Sequence, residues 1–242
     1  MKLSIVIPAF NEEKLLPACL RAVAAAQAVF RSAGWASEVV VCDNNSTDRT
    51  AEIAKEFGAK VVFEAKNQIG RARNAGAAAA QGEWLVFVDA DSEVSIELFE
   101  SLATVINSGS VAGGGSVLTT DGGGGLRMWL PLAIWNGLSR VFRWAAGSFV
   151  FCRRDIFEEV GGFDLKHFAG EELDLSVRIK RVARRKGLRF VILTKGSLMT
   201  SSRKVDLYSP RELLQVFLKI IFRHRRTVED REACFVWYDG RR

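Results

Sequence analysis

Four largely apolar runs, each followed by a helical pattern, constrain this chain more than any other feature. LSIVI (3–7), EVVVC (38–42), KVVF (60–63) and EWLVFV (83–88) do not alternate with polar residues. Strands of that kind are buried on both faces, as in parallel sheets covered by helices. After the first run, Leu16, Cys19, Leu20, Val23, Ala26 and Phe30 recur at helical spacing. Glu12 and Glu13 are expected in that helix's first turn, where the macrodipole favours acid, with Gly34 as the stop. Ser46 is expected to cap a second helix carrying Ile53, Ala54 and Phe57, closed by Gly58. RARNAGAAAAQ supplies a third helix, and Ser95 caps a fourth carrying Leu98, Leu102, Val105 and Ile106. The alternation predicts an α/β fold with right-handed crossovers.

In such sheets ligands bind outside the carboxyl ends of the strands. Three strands deliver acids or amides to that edge: Asn11 and Glu12 after the first, Asp43 with Asn44 and Asn45 after the second, Asp89 and Asp91 after the fourth. Turn and cap chemistry accounts for some of these residues singly. As a set they suit a polar ligand. Asp89 and Asp91, one residue apart at a turning backbone, are hard oxygen donors of the kind Mg²⁺ or Mn²⁺ takes, usually shared with substrate phosphates.

The second half is less regular. Residues 110–125 read as a strand running into a glycine loop, and 127–144 as a helix rich in Trp and Leu. SFVFCR (148–153) and RFVIL (189–193) are further strands. Asp155 is expected to cap IFEEV, stopped by Gly161 and Gly162. EELDLSVRIKRVARRK (171–186) and ELLQVFLKIIF (212–222) are helices. GEELD (170–174) opens the first of these two, where the dipole welcomes acid. Adjacent carboxylates also raise one another's pKa, which suits a general base.

Composition narrows the classes. The chain has 242 residues and a net charge of +6, concentrated in RIKRVARRKGLR (178–189) and RHRR (223–226). These clusters are either solvated helix faces or attractors of anionic lipid or phosphorylated substrate. No base-reading module points to nucleic acid. No run reaches the length of a membrane span, and MKLSIVIPAFNEE does not read as a secretory signal. The four scattered cysteines (Cys19, Cys42, Cys152, Cys234) suit free buried thiols in a reducing cytoplasm, with peripheral contact at the membrane's inner face as an option.

IVIPAFNEE, VVVCDNNSTDRT, GRARNAGAAAAQGEWLVFVDADSEV and GGFD…GEELDLSVRI, in that order, resemble the inverting glycosyltransferases of family 2 with the GT-A fold, over roughly residues 2–195. The resemblance implies a Rossmann-like, mostly parallel central sheet flanked by helices, with a smaller acceptor-side subregion. It implies one domain over 1–205, with a nucleotide-sugar half (1–100) and an acceptor half (101–205), followed by a C-terminal amphipathic helix and tail (206–242). It implies a metal-dependent enzyme of hexosyltransferase type. Pro8, Ala9, Asn11, Glu12, Asp43, Arg71, Asp89, Ala90 and Asp91 would hold the donor, with Asp91 on Mg²⁺ or Mn²⁺. The family's Glu-Asp pair is Glu171–Glu172 here, so Glu172, or Glu171, would be the base. The family's Gln-x-x-Arg-Trp motif is absent, which argues against processive polymer synthesis.

The sequence does not separate UDP from GDP or dTDP; UDP is taken first. The acceptor is open, with a lipid-linked one suggested by the Trp129, Trp135, Phe142 and Trp144 segment. Two other classes compete. A sugar nucleotidyltransferase would carry a glycine-rich, Arg-containing loop where this chain has PAFNEE. A non-catalytic nucleotide-sugar-binding protein is kept open by Glu172 standing in place of Asp.

Overall fold

The computed structural model describes residues 2–120, 125–145, 148–201, 207 and 227–238. Its strands are β1 (Lys2–Ala9), β2 (Ala36–Asp43), β3 (Lys60–Phe63), β4 (Trp84–Val88), β5 (Ser92–Val94), β6 (Val111–Thr120), β7 (Phe149–Arg153) and β8 (Arg189–Thr200). Its helices are α1 (Leu16–Ser32), α2 (Thr50–Glu56), α3 (Ile69–Ala79), α4 (Ile96–Asn107), α5 (Gly125–Phe142), α6 (Arg154–Glu159), α7 (Glu171–Arg185) and a short α8 (Phe235–Tyr238).

One eight-stranded sheet runs in the order β3-β2-β1-β4-β7-β6-β8-β5. The first four strands are parallel, as their apolar runs predict. The rest of the sheet is mixed: β7 runs antiparallel to β4 and β6, and β5 antiparallel to β8. Alternate residues of each strand enter opposite cores. Ile5, Ile7, Val86 and Val88 pack with α1, α2 and α4. Val6, Val40, Leu85 and Phe87 pack with α3, α6 and α7. Burial on both sides explains the apolar runs of β1 and β4, whereas β3 at the sheet's edge is only partly covered.

Several local expectations change. Glu12 and Glu13 precede α1, which starts at Leu16 with no acid in its first turn. Ser46 caps nothing, because its hydroxyl accepts the Asn11 N–H. Asp155 lies in the first turn of α6 but pairs with Arg153 rather than capping. Ser95 does cap α4, accepting the Leu98 N–H. β8 extends seven residues past Leu193, to Thr200. The glycines at 122–124, the 212–222 helix and the RHRR cluster lie outside the described residues, and so do the side chain of Trp129 and its neighbours through 131. All four thiols are free and buried, and burial pushes the pKa of each up, so none is a ready nucleophile.

α3 lies close on β1 because Gly76 has no side chain; a Cβ there would collide with Val6 Cγ1. Gly76→Ala is therefore expected to destabilise the fold by about 1–3 kcal/mol despite alanine's better helix propensity. Urea unfolding measures this, and a neutral or stabilising result would mean that α3 can shift at no cost.

Candidate active site

The turns after β1 and β2 are laced together. Asn11 sits at φ 52, its N–H donating to Ser46 Oγ and its Oδ1 accepting the Thr47 N–H. The Glu12 N–H donates to Thr50 Oγ1, and the Glu13 N–H to Asp48 Oδ2. Asp43 is buried, and its Oδ1 accepts the Ser46 N–H at 2.9 Å. Asn44 pins the next loop: its amide donates to the Glu64 and Lys66 carbonyls, and its Oδ1 accepts the Gln68 N–H. Pro8 and Ala9 end β1 beside Cys42 and Asp43, so they offer backbone and ring rather than reach. Arg71 is half-buried, and its Nε donates to Gln68 Oε1.

Arg73, not singled out from sequence, is the structural centre of the site. Its guanidinium is 2% exposed and donates to Asp89 Oδ1 and to Glu171 Oε1, each at 2.7 Å. It also lies 5.2 Å from the ring centroid of Phe163. One side chain thus joins the tip of β4 to the start of α7. The signal for it was present. Gly70, Arg73, Gly76 and Ala77 share the buried face of α3 at helical spacing. Its neighbour Asn74 clamps the GGF turn, accepting the Phe163 N–H and donating to the Phe163 carbonyl.

α7 opens after Gly170, which sits at φ +71. Its first turn holds Glu171, Glu172 and Asp174. Two of these acids are engaged. Glu171 is buried against Arg73. Asp174 is bound by Arg178, which also donates to the Val160 and Gly162 carbonyls. Among the described residues, Glu172 alone of the three has no guanidinium paired to it. Burial, then the neighbouring Glu171, push its pKa up to about 8, with Arg73 opposing. Phe168, Ala169 and Ile69 pack with Cys234 and Tyr238 of the C-terminal segment beside this turn.

Asp91 lies half-buried past β4, with its carbonyl accepting the Ser201 N–H. Ala90 between the two acids is buried. A second donor group, Asp164, His167 and Asp174, gathers its ligand atoms within 4.8 Å of one another. A cation there would face the Arg178 guanidinium already seated on Asp174.

The mixed α/β sheet covered by helices on both faces is the GT-A glycosyltransferase fold, as two solved structures show. S. aureus TarS 1–349 in complex with UDP-GlcNAc is similar over 99% of this chain and 73% of its own, at TM-score 0.63 and 19% identity. Glucosyl-3-phosphoglycerate synthase from Mycobacterium tuberculosis, in complex with Mn²⁺, UDP and glucosyl-3-phosphoglycerate, is similar over 96% of this chain and 80% of its own, at TM-score 0.63 and 18% identity. The family model Glycosyl transferase family 2 matches residues 4–162, and the chain belongs to that family. The uncharacterized glycosyltransferase Rv0539 of M. tuberculosis is 36% identical over 107 residues, covering 44% of each chain. The chain spans under half the length of the curated relatives it matches.

Proposed function

We propose that this chain transfers one sugar from a nucleoside-diphosphate sugar to an acceptor hydroxyl, with inversion and with Glu172 as general base. The observation that carries the reading is the division of labour in the first turn of α7. Glu171 and Asp174 are committed to arginines, and Glu172 is left with a raised proton affinity. A base poised near neutral pH accepts a hydroxyl proton as the oxygen attacks the anomeric carbon. The attack comes from the face opposite the leaving diphosphate. Residues 1–100 hold the donor in this reading and 101–205 the acceptor.

Asp43 and the laced β1–β2 turns suit the base and ribose, with Asp89, oriented by Arg73, at the ribose. Asp91 fits a divalent cation: it is a half-exposed hard oxygen donor whose neighbour Asp89 is already neutralised. Bound there, Mg²⁺ or Mn²⁺ would supply charge neutralisation for the diphosphate. UDP is the first donor nucleotide to test, since both compared structures hold uridine nucleotides.

The test is a thermal-shift screen of UDP, GDP and dTDP with and without Mn²⁺. One nucleotide is expected to stabilise the protein in a Mn²⁺-dependent manner. Asp91→Asn is expected to weaken that binding at least about tenfold. Metal-independent binding, unchanged in Asp91→Asn, would remove the cation from the reading.

The pH dependence follows from Glu172. Turnover needs its carboxylate, so kcat/KM is expected to rise with pH until about 8. Stability runs the other way. A carboxyl whose folded pKa is raised holds a proton that the unfolded chain releases. Folding therefore loses stability between the ordinary value of 4.5 and about 8. The slope is at most about 1.4 kcal/mol per pH unit. Glu172→Gln is expected to flatten that decline in melting curves taken across this range; an unchanged slope would show that Glu172 titrates normally.

A further inference from the structure

The part of helix α5 whose side chains are described, residues 132–142, carries an apolar stripe outward and polar groups inward. Ser139 is fully buried, its hydroxyl donating to the Trp144 carbonyl. Asn136 holds both the N–H and the carbonyl of Leu118. Ile134, Leu138, Val141 and Phe142 meanwhile face solvent, Val141 at 75% exposure. Their spacing places them on one stripe of the helix. Val177 of α7, also exposed, lines a groove with Val141 and Phe142. The Lys180 ammonium donates to the Phe142 carbonyl and ties the two helices together.

Positive charge borders the Val141–Phe142 end of this stripe. Arg143, Lys180, Arg181 and Arg184 rim the groove, and Arg140 joins Arg143 in the adjoining one. α5 contains no acidic residue, and α7 has none after Asp174. Among the described residues, no carboxylate is ion-paired with Arg140, Arg143, Arg181 or Arg184. Arg185 and Lys186, at the same helical end, are paired with Glu159. The basic run at 178–189 is thus divided: Arg178 serves the fold, Arg185 and Lys186 are neutralised, and among the described residues the rest have no carboxylate partner. Burial, Arg143 and Arg184 lower the Lys180 pKa, as expected where cations crowd without counter-charge.

A solvated helix turns polar residues outward, and residues 132–142 turn an apolar stripe outward beside a cluster of arginines. That pattern matches the boundary between headgroups and acyl chains, where apolar side chains insert and guanidinium groups meet phosphates. An acidic protein would satisfy the arginines but has no need of a continuous apolar stripe. We propose that the α5–α7 face docks on an anionic lipid surface. Glu172 lies on the same helix, about 12 Å of helical rise from Lys180, so docking would bring the transfer site near the bilayer.

The test is co-sedimentation of the full chain, without nucleotide, with phosphatidylcholine vesicles and with vesicles containing phosphatidylglycerol. Binding to the anionic vesicles at low salt, weakened at high salt, is expected. Reversing Arg140, Arg143, Arg181 and Arg184 to Glu is expected to reduce partition at least about tenfold. Val141→Ser with Ile134→Ser is expected to reduce the fraction still bound at high salt, which a purely electrostatic contact would not show. Absence of wild-type binding, full binding by the charge-reversed variant, or binding to soluble polyphosphate without binding to vesicles would each overturn the proposal. Because no nucleotide or turnover is involved, the outcome is independent of the glycosyl-transfer reading.

Discussion

Glu172→Gln is expected to lower kcat by about 10²–10⁴-fold while donor affinity stays within about twofold. Glutamine keeps the size and hydrogen-bonding edge of the side chain and removes only its basicity. Glu171→Gln separates the two carboxylates of the pair. Its loss falls on packing, because Glu171 is buried against Arg73 and turned toward the protein rather than toward an acceptor. A Glu172→Gln enzyme with near-normal kcat would pass the base role to another group. A variant that loses donor binding as well would mean that Glu172 positions the donor rather than the proton.

Arg73→Met is expected to be the most destabilising single change in the site, by about 3–5 kcal/mol, because it strands the buried Glu171 carboxylate. The apolar stem can still fill much of the space beside Phe163, so the cost is mainly electrostatic. Adding Glu171→Gln is expected to recover part of that loss, which identifies the unpaired charge as its source. Asp89 would also lose its anchor, so donor affinity is expected to fall even in the stabilised double variant. Urea unfolding and nucleotide titration read the two effects separately. Stability within about 1 kcal/mol of the wild type for Arg73→Met would show that the buried pair contributes little.

The parallel half of the sheet was legible because strands covered by helices on both faces are largely apolar, and four runs fit that demand. The positions of Asp43, Asp89 and Asp91 follow from the ends of those runs. Strand direction in the second half was not legible. Nothing in SFVFCR distinguishes a parallel from an antiparallel partner, and β7 pairs antiparallel on both sides. Ser46 was misread because a cap is a local expectation, and a partner 35 residues away, Asn11, took its hydroxyl. Arg73 was not legible because an arginine on a helix is expected on its solvent face. Its two acids, 16 and 98 residues away in sequence, made burial tolerable. The polarity of α5 was illegible for a related reason: only its neighbours show which side of a Trp- and Leu-rich helix faces inward.

The most direct test of the account is the anomer first released when the preferred nucleotide sugar, α-linked to its diphosphate, is turned over with water or a simple alcohol as acceptor. Proton NMR recorded before mutarotation reads it. Direct displacement assisted by Glu172 predicts the β-anomer, formed by wild type and lost in Glu172→Gln. An α-anomer as first product would contradict single displacement and, with it, the role given to Glu172.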